Sequence, residues 1–75
     1  MELAGQENHV YYVRLPNEHT FSGRQYIKNK MKEVGPNWPH DHIIINVVTW
    51  STNLWRVEFK KKAAEHEVLF KMLLE

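Results

Sequence analysis

Residues 43–59 read IIINVVTWSTNLWRVEF. Every position from Ile43 to Trp50 except Asn46 is β-branched or aromatic, the composition of a pleated strand. Ser51-Thr52-Asn53 reads as a turn, and Leu54–Phe59 as the returning strand. Asn53 tolerates the left-handed backbone that a three-residue hairpin loop needs at its last position. That loop pairs Trp50 with Leu54, Thr49 with Trp55, Val47 with Val57 and Ile45 with Phe59. Side chains alternate across a strand, so one face gathers Ile43, Ile45, Val47, Trp55, Val57 and Phe59, the expected core face. A slip of one residue would turn the first strand over.

Upstream, Pro36–Asp41 (PNWPHD) is a rigid connection. Before it, Ser22 and Gln25 have the spacing of a capping box, and Phe21 and Tyr26 that of a hydrophobic staple. Ile27, Met31 and Val34 recur at helical spacing, and Gly35-Pro36 ends the run. The spacing predicts a helix over Gly23–Val34, with Gly23 allowing close approach to a sheet. Val10–Leu15 (VYYVRL) reads as a strand with Tyr11, Val13 and Leu15 on one face and Val10, Tyr12 and Arg14 on the other. Residues 1–8 show no periodicity and read as a flexible leader to a single α+β domain over 9–75. Downstream of the hairpin, Lys60–Lys62 leads into a predicted helix over Ala63–Leu74. The expected fold is a two-layer β-α-β-β-α domain, a three-stranded sheet with two helices on one face. Either hairpin strand is a candidate for the centre, the first by its apolarity and the second by the split β-α-β arrangement.

The chain has 75 residues, 43% hydrophobic and 25% charged, with no cysteine and a net charge of +1. Disulfides, thiolate metal sites and a cysteine nucleophile are excluded. No apolar run reaches the ~18 residues of a membrane span, and no basic-then-apolar signal opens the chain. A cytoplasmic location is the expectation.

His40-Asp41-His42 is the densest polar cluster. Two His at i, i+2 suit a metal, but a stable site needs a third ligand, and nothing in the spacing ties His9, His19 or His66 to the pair. It reads as a polar strand entry, with no metal or other cofactor expected. No nucleophile accompanies it, and Gly5, Gly23 and Gly35 are isolated, so no phosphate loop exists. An enzyme is not expected.

Three features point instead to binding. The sheet face away from the helices carries Val10, Tyr12 and Arg14, with Ile44, Asn46, Val48, Trp50, Leu54, Arg56 and Glu58 from the hairpin. Trp, Tyr and Arg are the residues enriched at interaction hot spots. The reading that follows is a small non-enzymatic binding protein that docks a larger protein as regulator, inhibitor or subunit. Its contact residues are Tyr12, Arg14, Ile44, Val48, Trp50 and Arg56. The alternative rests on charge. Residues 19–62 hold eight of the ten Lys and Arg against three acids. Arg24, Lys28, Lys30 and Lys32 on the first helix, with Lys60, Lys61 and Lys62, would contact phosphates as a nucleic-acid-binding module if they converge. The apolar excess of Val68, Leu69, Phe70, Met72, Leu73 and Leu74 makes a second copy of the chain a further candidate partner.

Overall fold

The computed structural model describes residues 1–16 and 22–74. These form strands β1 (Glu2–Glu7) and β2 (Val10–Arg14), helix α1 (Gly23–Val34), strands β3 (Ile43–Thr49) and β4 (Leu54–Phe59), and helix α2 (Glu67–Met72). A 3-10 turn over His40–His42 precedes β3, and a 3-10 segment over Lys61–His66 precedes α2. The sheet order is β1-β2-β4-β3, antiparallel throughout. Strands β2 and β3 both run against β4 and are therefore parallel to each other with β4 between them, which is the split β-α-β arrangement.

The sheet has four strands, where the sequence reading expected three. The added strand, β1, lies in the stretch read as a leader. It is exposed at every position but Gly5, so it carries no burial alternation to read. Backbone pairing with β2 and a two-residue turn make it instead: Glu7 pairs with Val10, and Asn8 holds φ at 54°.

The core lies on one face of the sheet, beneath both helices. Tyr11, Val13 and Leu15 from β2 and its end meet Ile43, Ile45, Trp55, Val57 and Phe59, with Ile27, Met31, Ala63 and Phe70 closing over them. The core-face assignment from the sequence therefore holds, but the hairpin register does not. Ile43 pairs with Phe59, Ile45 with Val57, and Val47 with Trp55, two residues away from the expected pairing. An even shift preserves the faces. The loop is longer by one residue, Trp50–Asn53, and a bulge between Val47 and Thr49 absorbs the other.

Helix α1 has the expected bounds with different ends. The Ser22 side chain makes no capping bond, and Gln25 Nε2 donates to Asn29 Oδ1 at 2.8 Å instead of reaching back. The staple residue Phe21 lies outside the described residues. Gly35 is extended (φ −176°) and not left-handed, and its N–H donates to Met31 O at 3.2 Å. Gly23 is required by packing: a Cβ there would overlap the indole ring of Trp55. The last helix is shorter than its expected span, because tight i, i+3 bonding such as Ala63 N–H to Lys60 O (2.8 Å) holds its first part as 3-10. That turn seats the small Ala63 fully in the core.

Candidate functional site

The sheet face opposite the helices is built from rows of side chains across β2, β4 and β3. Tyr12, Arg56 and Asn46 form one row; Val10, Glu58 and Ile44 form the next. Arg14 stands beside Leu54 and is paired with Glu2 of β1 at 3.2 Å. Arg56 Nη1 donates to Glu58 Oε1 at 2.9 Å, and Glu58, then Tyr12, hold the guanidinium above its ordinary pKa. No described helix covers this face. The Trp38 segment does not cover it either: Trp38 is buried in the core, with Nε1 donating to Met31 O at 2.7 Å. At one end the face dips into a recess of about 530 Å³ bordered by Glu7, His9, Tyr12, Arg56, Glu58, Lys60 and Lys61.

Of the six residues expected to share a contact face, Tyr12, Arg14, Ile44 and Arg56 do so. Trp50 does not. Beyond the bulge the alternation reverses: Thr49, not Trp50, pairs with Leu54. Trp50 accordingly turns to the α1 side and meets Trp55 edge-on, with ring centroids 5.6 Å apart. It remains about half exposed. Val48 sits at the bulge itself, also half exposed. Nothing in composition marks a bulge at Val48, so a strictly alternating reading carries Trp50 to the wrong side.

Trp50 borders a second recess, about 520 Å³, between α1 and the β3 end of the hairpin. Ser22, Arg24, Gln25, Lys28, Val47 and Trp55 complete its lining. Arg24, Lys28 and Lys32 follow at i, i+4, i+8, one stripe of α1. Arg24 Nε donates to Ile45 O at 3.1 Å. Lys28 and Lys32 also lie close enough to His40 to help push its pKa down, although burial is the larger cause. Lys30 leaves this stripe, pairing with Glu33 at 3.4 Å and standing over the Tyr26 ring. Lys60 and Lys61 border the recess on the opposite sheet face, and Lys62 is exposed. Arg24 and Lys28 thus border one recess, and Lys60 and Lys61 another.

Two polar constructions escaped the sequence reading. Glu67 is buried and shared by Tyr11, whose hydroxyl donates to Oε1 at 2.8 Å, and His9, whose Nδ1 lies 2.5 Å from Oε2. Burial, then the bond to Glu67, pushes the Tyr11 phenol well above its ordinary pKa and keeps it a donor. Asn53, read only as a turn residue, is 1% exposed with φ at 51°. Its Nδ2 donates to Leu15 O (3.2 Å) and Pro16 O (2.6 Å), and its Oδ1 accepts from Trp55 Nε1 (2.9 Å). Its carbonyl also accepts from Leu15 N–H at 3.0 Å. Both constructions join residues far apart in the chain, which local patterns do not reveal.

His40 and His42 occupy a 3-10 turn and not a strand, so they do not share a face by alternation. Among the described residues, no three His, Asp or Glu side chains come together as a metal site. No described helix is long and apolar enough to cross a membrane. No family model matches the chain, and comparison with curated proteins and with solved structures finds no significant match to either.

Proposed function

We propose that this chain is a non-enzymatic binding protein that docks a larger protein, with Tyr12, Arg14, Ile44 and Arg56 as the contact surface. The observation that carries the reading is the uncovered sheet face, on which the Tyr12–Arg56–Asn46 row stands on paired strands. Tyr and Arg contribute most at protein interfaces when already ordered, since less side-chain entropy is then lost on binding. Arg56 is paired with the half-buried Glu58, and Arg14 with the exposed Glu2. Val68 and Met72, exposed one turn apart on α2, add an apolar strip suited to a second copy of the chain.

The test is photocrosslinking in cells, with the crosslinking residue at Tyr12 and, as control, at the exposed Glu65. A discrete protein adduct from position 12, insensitive to nuclease, lost in Arg56→Ala and absent from position 65, is the expected result. Nuclease-sensitive adducts would favour nucleic acid. Equal labelling from both positions would remove the open face from consideration.

A further inference from the structure

We propose that the free edge of β3 accepts an extended, acidic peptide segment as a fifth strand. Its carboxylates, on the face turned toward α1, would meet Arg24 and Lys28. This site is separate from the open face and does not depend on it.

The backbone supplies the first reason. Strand β3 is last in the sheet order, with β4 on one side and, among the described residues, no strand on the other. Arg24 reaches Ile45 O from the helix side, and His42 O accepts from Lys60 N–H at 2.9 Å on the β4 side. Backbone groups alternate in direction along an antiparallel strand, so Ile43 and Val47 share the outward direction of Ile45; the Ile43 N–H is already given to His40 O, which puts the acceptor stretch at the Ile45 N–H and at Val47. A row of outward N–H and C=O groups is a template for strand addition.

Charge decides the occupant. The recess beside this edge contains two cations and no carboxylate among its lining residues. Among the described residues no carboxylate forms an ion pair with Arg24, Lys28 or Lys32. A second copy pairing β3 with β3 would bring the same cationic stripe against itself, at an electrostatic cost. An acidic strand satisfies both the backbone row and the cations. A nucleic acid satisfies the cations and can stack on Trp50, but has no repeating N–H and C=O groups to offer the edge. The other edge differs in charge: β1 carries Glu2 and Glu7.

The experiment uses the full chain and fluorescently labelled probes. They are a peptide of repeated Glu-Val, its Lys-Val counterpart, the Glu-Val peptide N-methylated along its backbone, and a short oligothymidylate. The Glu-Val peptide is expected to bind, with amide shifts concentrated at Ile45 and Val47. N-methylation should abolish binding, and Lys28→Glu should weaken it several-fold while leaving the thermal midpoint of the protein in place. Tyr12→Ala should leave it unchanged, which keeps this result separate from the fate of the open face. Equal affinity for the N-methylated peptide, equal affinity for the Lys-Val peptide, no binding of Glu-Val, or tighter binding of oligothymidylate at the same residues would each overturn the proposal.

Discussion

The two hairpins of this sheet use the same turn residue in the same backbone state to different ends. Asn8, between β1 and β2, has φ at 54°, and Asn53, at the end of the β3–β4 loop, has φ at 51°. Asn8 is exposed, whereas Asn53 is buried and its side chain binds the end of β2 and the indole of Trp55. The first hairpin lies at the rim and reaches the core through His9, the turn residue after Asn8. The other closes on the core through its own turn. Left-handed Asn is thus a local device in one place and a tertiary joint in the other, and the local sequence does not distinguish them.

The sharpest test of this contrast is in the second hairpin. Trp55 is almost fully buried against Gly23, so Trp55→Ala should cost ~3–5 kcal/mol. It also removes the donor to Asn53 Oδ1. Trp50, half exposed and touching Trp55 edge-on, should lose only ~1 kcal/mol as Trp50→Ala. Chemical denaturation of both variants checks the pair. A larger loss for Trp50 would mean that it packs more deeply on the α1 side than its half-exposed ring implies.

Next come the two asparagines. Asn53→Gly keeps the backbone state open but leaves the Trp55 N–H and the Leu15 and Pro16 carbonyls without that partner, for a loss of about 2–3 kcal/mol. Asn8→Gly should stay within about 0.5 kcal/mol, as an exposed change. Replacing either by Ala instead should add ~1–2 kcal/mol for the left-handed backbone alone. Equal losses for the two Gly variants would break the comparison.

Glu67→Ala probes how the first hairpin reaches the core. It removes the acceptor of the buried Tyr11 hydroxyl and the partner of His9 in the β1–β2 turn, and should cost about 2 kcal/mol. Tyr11→Phe combined with Glu67→Leu should recover part of this, because a buried polar pair replaced by apolar groups is close to neutral. No recovery in the double variant would show that Glu67 acts through His9 alone.

What the sequence made legible follows the same division. Ile27, Met31 and Val34 mark α1, and alternation marks the core face of β2, β3 and β4, because each buries one side and writes that burial into the order of residues. Strand β1 buries almost nothing, so ELAGQE carries no such mark. The bulge near Val48 and the two-residue register shift lie beside contacts made across the fold, Trp55 on Gly23 and Asn53 on Leu15, which local sequence does not record. The contact residues divided accordingly. Tyr12, Arg14, Ile44 and Arg56 lie in regular ladder and were placed by alternation, while Trp50 lies past the bulge and was not.

The smallest expected effect concerns the entry to the second hairpin and its dependence on pH. His40 stands in the 3-10 turn before β3, where burial first and then Lys28 and Lys32 disfavour its charged form, with Asp41 acting weakly the other way. Its pKa in the folded chain lies below the ordinary value of 6.5. The unfolded chain therefore takes up this proton before the folded one as pH falls, and the stability linked to His40 is present above the ordinary value and lost below it, down to the folded pKa. Urea midpoints of the parent and of His40→Gln, measured at about pH 7.5 and about pH 5.5, isolate that loss, since only the parent can titrate at this position. The parent should lose more stability between the two conditions than the variant. Truncating Lys28 and Lys32 to Ala should shrink the difference without erasing it, because burial is the larger cause. Parallel behaviour of parent and His40→Gln would mean that the turn holds a charged imidazole as readily as a neutral one. The stripe of α1 would then exert less force on its surroundings than its spacing implies.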